Sequence, residues 1–168
     1  LSKYPMMEFQ EQESFPVSDK EQYSIIRFFQ RVNKALPFEG NGMTVCSDGY
    51  DMIQALLKAI AGAKHHIHVQ FYIFEDDAVG RLVRDALVDK AREGVEIRVL
   101  YDDVGCWKVP HVFYDEMREA GIETRSFLKV RFPRFTSKVN YRNHRKLVVV
   151  DGEVGFIGVM NLAERYLK

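Results

Sequence analysis

Residues 142–161 read RNHRKLVVVDGEVGFIGVMN. Two apolar, β-branched runs flank Asp151-Gly152, a dipeptide that favours a two-residue turn, so the stretch reads as a hairpin pairing Lys146–Val150 with Glu153–Ile157. Side chains two apart on a strand face the same way, which sets His144 beside Lys146, with Arg142 on that face if the strand already runs there. The pairing suits phosphoryl chemistry: a neutral imidazole attacks phosphorus while an ammonium neutralises charge growing on a non-bridging oxygen. Arg142 would add a bidentate phosphate contact. Asp151 has the opposite parity to His144, which argues against direct contact with phosphate, and an Asp before Gly is also what a turn selects. Asn161, with Glu164 three positions on, reads as the start of a last helix with a capping box, and a helix N-terminus aimed at phosphate would itself be useful.

Upstream of the hairpin, helical and strand patterns alternate. Ile53, Leu56, Leu57 and Ile60 lie at helical spacing, with a stop at Gly62. His65–Phe74 reads as a strand with Ile67, Val69, Phe71 and Ile73 on one face. A helix through Val79, Leu82, Val83, Ala86 and Leu87 ends at Gly94, and Val95–Tyr101 is a nearly continuous apolar strand, as in a buried sheet. Val112–Ala120 gives a third helix, closed by Gly121, and Ile122–Phe127 a short strand. This order predicts an α/β/α sandwich around a mixed, mostly parallel sheet. Before it, residues 1–17 read as an arm, Asp19 precedes a helix through Ile25, Ile26, Phe28, Phe29 and Val32, Gly40-Asn41-Gly42 is a turn, and Met43–Cys46 a short strand. Residues 1–40 are therefore assigned to an arm and helix, and 41–168 to the main domain.

Charge is balanced on average, with 24 basic and 24 acidic residues, but not along the chain. Arg125 to Val150 holds no Asp or Glu, and interleaves Arg131, Arg134, Lys138 and other cations with Phe127, Phe132, Phe135 and Tyr141. Such a stretch is either a solvated loop or a surface for anionic headgroups, with Phe132 or Phe135 entering the interface. No apolar run reaches the ~18 residues of a membrane span. Cys46 and Cys106 are too few for a disulfide framework and read as free thiols. His66 and His68 share a strand face with no third ligand nearby, so an ordinary strand end is favoured over a metal site. The start at Leu1 and the helix cut short at Lys168 lead us to expect a piece of a longer chain, with a sheet face or edge poorly covered and association or disorder near Lys168.

The spacing His144-x-Lys146-x4-Asp151, continued by Gly158 and Asn161, resembles the signature of the phospholipase D superfamily. Average usage would produce the first part by chance on the order of once in a hundred chains of this length. Tyr72-Ile73-Phe74, Asp76-Asp77, Gly80, Gly94-Val95, Arg98, Tyr101-Asp102 and Asn140–Lys146 look like the first half of bacterial cardiolipin synthases, over roughly Asn41 to Tyr166. Val159 departs from the family's second Gly or Ser, at a position expected to crowd the site floor.

The resemblance implies the following roles. His144 would be nucleophile or general acid/base, Lys146 and Asn161 would hold phosphate oxygens, and Asp151 would be a supporting member of the catalytic set. Arg142, Arg145 and Gly158 would contribute to substrate binding. The reaction implied is phosphatidyl transfer through a phosphohistidine, from phosphatidylglycerol to a second lipid, with no cofactor or metal. It requires two histidines, and His65, His66, His68 and His111 lack a lysine two residues on. The second His-x-Lys would come from a further half of the same polypeptide or from a homodimer partner. Membrane association of the full-length bacterial protein, without a transmembrane segment in this chain, follows from the same likeness, and no nucleic-acid partner is expected. Two other functions compete: a single-motif dimeric nuclease or phosphodiesterase using the basic stretch, and a non-catalytic lipid-binding fragment.

Overall fold

The computed structural model describes residues 20–33, 40–129 and 142–167, and the chain divides into two compact units, Leu1–Thr44 and Val45–Lys168. In the first unit, α1 (Lys20–Asn33) is the helix expected after Asp19. Residues 41–47 form no strand, so the strand expected at Met43–Cys46 is absent: these side chains are exposed, and among the described residues no strand pairs with them.

The second unit runs α2 (Gly49–Gly62), β1 (His66–Phe71), α3 (Ala78–Arg92), β2 (Glu96–Asp102), α4 (His111–Glu119), β3 (Glu123–Phe127), β4 (Leu147–Val150) and β5 (Val154–Ile157). A 3₁₀ turn, Glu164–Tyr166, follows. The five strands lie in the order β3-β2-β1-β4-β5. The β1–β2 and β2–β3 junctions are parallel, joined by helical crossovers, while β1–β4 and β4–β5 are antiparallel. The sheet is thus mixed, as expected, with two junctions of each kind.

Alternation along the strands decides which face is dry. Ile67, Val69 and Phe71 of β1, Ile97, Val99 and Tyr101 of β2, and Val148 and Val150 of β4 are buried. They meet Ile53, Leu56 and Ile60 of α2, Val79, Val83 and Leu87 of α3, and Phe113, Tyr114 and Met117 of α4 in one core. Full burial of such a side chain stabilises by about 1.5–3 kcal/mol over exposure. Leu82, expected on the inner face of α3, is instead 51% exposed, because positions 79, 83 and 87 already fill the stripe. Helix α2 packs on α3 and α3 on α4, giving one helical layer. The other sheet face bears His68, Glu96 and Arg98, all exposed.

Two departures from regular strands shape the site. First, β1 ends at Phe71 and the chain bends at Tyr72, after which Phe74 forms a parallel bridge with Leu162. The bend reverses the parity, so Phe74 (0% exposed) is buried in place of Ile73. Second, the hairpin pairs Val150 with Val154, leaving three residues in the loop where two were expected. Asp151 and Gly152 both have positive φ, 54° and 74°, and the Glu153 N–H donates to Val150 O at 3.0 Å. Asn and Asp tolerate that left-handed region better than other non-glycine residues.

Candidate active site

His144 and Lys146 lie in an extended segment just before β4, not within it, since the ladder begins at Leu147. What fixes this segment is Asp102, the last residue of β2, which is 1% exposed. Its Oδ1 accepts the Val104 and Gly105 N–H groups at 2.9 Å each, and its Oδ2 accepts the Asn143 N–H at 3.3 Å. Arg142 adds an ion pair to the same carboxylate at 3.6 Å. A buried carboxylate is retained only when so compensated. The expectation that Arg142 shares a face with His144 therefore does not hold, because its side chain is 10% exposed and turned to Asp102.

His144 is exposed, and its imidazole stacks on the ring of Tyr72 with centroids 3.9 Å apart and planes 22° from parallel. The Lys146 Nζ lies 5.8 Å from the same ring centroid and donates to the His144 carbonyl at 2.9 Å. Imidazole and ammonium are thus gathered about one aromatic ring. An ammonium has three donors, so the bond to its own backbone leaves capacity for a phosphate oxygen. Arg145 is exposed beside them.

Other members of the motif lie elsewhere. Asp151 stands beyond the far end of β4 from His144. Its Oδ2 accepts the Lys64 N–H and its Oδ1 the N–H groups of His65 and His66, all at 2.8 Å. Those bonds, His66 first, hold the carboxyl below its ordinary range, at about 2. Asn161 is 5% exposed and its Oδ1 accepts the Ile73 N–H at 3.1 Å. It does not cap a helix: the 3₁₀ turn has Ala163 at its N-cap, and the Glu164 N–H donates to Asp77 Oδ2 at 2.6 Å. Gly158 has open space where a Cβ would stand, and Val159 is 86% exposed, so it crowds no floor formed by the described residues. His66 and His68 sit on the exposed sheet face with ring centroids 5.0 Å apart. Lys129, Arg142, Arg145 and Lys146 are described, while Arg131, Phe132, Arg134, Phe135 and Lys138 lie outside the described residues.

Tyr72 and Asp102 build the site, yet from sequence they carried only a family likeness. A signal was present. Both stand at or just past the carboxyl ends of neighbouring parallel strands, where open α/β sheets place functional groups.

Comparison with known proteins accords with this geometry. Residues 56–168 match the family described as cardiolipin synthase, PLD-like domain. The chain is 46% identical over 123 residues to a cardiolipin synthase of Alkalihalophilus pseudofirmus, covering 73% of this chain and 24% of that protein. It is 44% identical over 135 residues to the major cardiolipin synthase ClsA of Bacillus subtilis, covering 80% and 28%. With a cardiolipin synthase of a Geobacillus species the match runs over 172 residues at 34% identity, covering 99% and 34%. The aligned chain thus spans only 24–34% of these relatives. Among solved structures, Nuc from Salmonella typhimurium, a phospholipase D family member, aligns with TM-score 0.50 and 23% identity, over 67% of this chain and 66% of that one, a likeness of fold.

Proposed function

Because the chain belongs to the cardiolipin synthase family of phospholipase D-like domains, we propose that it supplies one of two His-x-Lys half-sites for phosphatidyl transfer between phospholipids. The observation that carries this reading is the exposed His144 imidazole gathered with the Lys146 ammonium at the ring of Tyr72. In the reaction, one histidine nitrogen attacks the phosphorus of phosphatidylglycerol. The bond from phosphorus to the headgroup glycerol breaks, and the histidine of the other half-site gives its proton to the leaving oxygen. The hydroxyl of a second phosphatidylglycerol then attacks the phosphohistidine and returns a proton to that histidine. Two phosphatidylglycerols become cardiolipin and glycerol. Lys146 offsets the charge on the non-bridging oxygens at both steps, and no cofactor is required.

Either His144 or its counterpart serves as the nucleophile, and the counterpart comes from a second catalytic half or a second copy of the chain. Asp151 and Asn161 support the site through backbone, Arg142 through Asp102, while Arg145 and the Gly158 turn face substrate. Residues 41–168 then constitute the first catalytic domain. Contact with an anionic membrane surface is supported by α1, where Ile25, Phe28, Phe29 and Val32, all at least 50% exposed, form one stripe beside Arg27 and Arg31. No helix of the described residues is long and apolar enough to cross a membrane.

The test is thin-layer chromatography of the chain with phosphatidylglycerol vesicles, beside a His144→Ala control and a DNA cleavage arm. Cardiolipin or phosphatidic acid lost in the control supports the reading with a second copy completing the site. A chain that forms product only when mixed with a separately expressed second half supports it in the two-half form. Product indifferent to His144, or DNA cleaved with lipid untouched, rejects it.

A further inference from the structure

Tyr72 is held more firmly than the histidine it touches. The bend after β1 places its backbone against Gly105 so closely that a Cβ at 105 would lie 2.2 Å from Tyr72 O. The Cys106 thiol donates to the same carbonyl at 3.6 Å, and accepts the Phe74 N–H at 3.3 Å. On the other side the Ile73 N–H is bound by Asn161. Buried elements thus clamp residues 72–74, whereas His144 is exposed on a segment that precedes its strand.

We propose that Tyr72 is a positioning residue of the half-site, its ring face a plate that sets the plane of the His144 imidazole. The geometry suits that role. In a stacked imidazole both nitrogens lie at the ring edge, with lone pair and N–H in the ring plane, so the plate fixes the direction of attack without covering either nitrogen. The same ring draws the Lys146 ammonium through its quadrupole, which keeps both groups beside Tyr72. The phenol hydroxyl takes no part. This inference rests on His144 being the phosphoryl-reacting group.

The experiment uses the full chain and the variants Tyr72→Phe, Tyr72→Leu and Tyr72→Met, with two readouts by NMR. The first is the ring-current displacement of the His144 ring protons, which needs no ligand. It is upfield in the wild type and in Tyr72→Phe, and absent in the two aliphatic variants. The second is the dissociation constant for orthovanadate, followed on the same His144 signals. It is unchanged in Tyr72→Phe and weakened about 3- to 10-fold in the aliphatic variants, the factor expected from losing an aromatic pair. Absence of the displacement in the wild type overturns the proposal. So does a Tyr72→Phe variant as weak as Tyr72→Leu, which would assign the role to the hydroxyl, or aliphatic variants that bind as the wild type does. A wild-type chain that shows the stack but never perturbs His144 with vanadate defeats the phosphoryl reading itself, a result distinct from the others.

Discussion

The Asp151 carboxylate accepts the backbone N–H of His66 across 85 positions of sequence, at 2.8 Å. With the Lys64 and His65 N–H groups beside it, the hairpin loop is fastened to the start of β1. The carboxyl titrates at about 2 against an ordinary 3.8, chiefly through its bond from His66. Its contribution to stability is therefore fully present above 3.8 and is lost as pH falls through about 2. Asp151→Asn tolerates the same left-handed backbone but lacks the charge. Thermal unfolding of the two proteins should differ, with the wild type higher, by a gap that is constant above pH 4 and closes as pH falls toward 2. A gap that persists at the acid end would show that the charge is not what binds.

Asp77 caps two elements at once. Its Oδ1 accepts the Gly80 N–H at 2.9 Å at the start of α3, and its Oδ2 the Glu164 N–H. Asp77→Ala should cost about 1–3 kcal/mol in urea unfolding and speed hydrogen exchange at Glu164. Asp77→Asn keeps one acceptor oxygen, so it should restore the α3 cap while Glu164 stays fast.

The Tyr114 ring is 2% exposed and stacks on Tyr101 with centroids 3.8 Å apart. Its hydroxyl donates to the buried Phe74 carbonyl at 2.9 Å. Burial drives its pKa far above the ordinary value, so it stays a neutral donor. Tyr114→Phe keeps the stack and strands the carbonyl, at a cost of about 1–3 kcal/mol. A variant as stable as the wild type would mean that water reaches Phe74.

Gly105→Ala should be felt at His144 without touching it. The new methyl would collide with Tyr72 O, so either Tyr72 or the 103–106 loop must shift, at about 1–3 kcal/mol. We expect a lower urea midpoint together with a diminished ring-current displacement at His144. A destabilised protein with unchanged His144 signals would show that the loop yields and the plate does not.

The helices and strands of the second unit were legible because each buries one face, and burial leaves its period in the sequence. Where the period misled, a long-range contact had bent the chain. Ile73 keeps the parity of Ile67, Val69 and Phe71, yet the bridge from Phe74 to Leu162 turns the backbone at Tyr72. Asn161 and Glu164 have the spacing of a capping box, but Asn161 bonds to Ile73 and Glu164 to Asp77, partners 88 and 87 positions away. Arg142 has the parity of His144, but parity has no force outside a ladder, and Asp102 decides its direction. The His144 and Lys146 pair lies outside the ladder too, and what keeps it together is local, the bond from the Lys146 ammonium to the His144 carbonyl. The plate beside them was not legible, since Tyr72 reaches His144 only through the fold.

Asp151 binds the residues entering β1 and Asn161 binds Ile73 just past its end. Two of the most recognisable letters of the motif are, in this structure, brackets around the central strand. Through those bonds the motif's Asp and Asn hold both ends of β1 in place, so the loss of either would be felt at Tyr72 or at the hairpin before any substrate arrives.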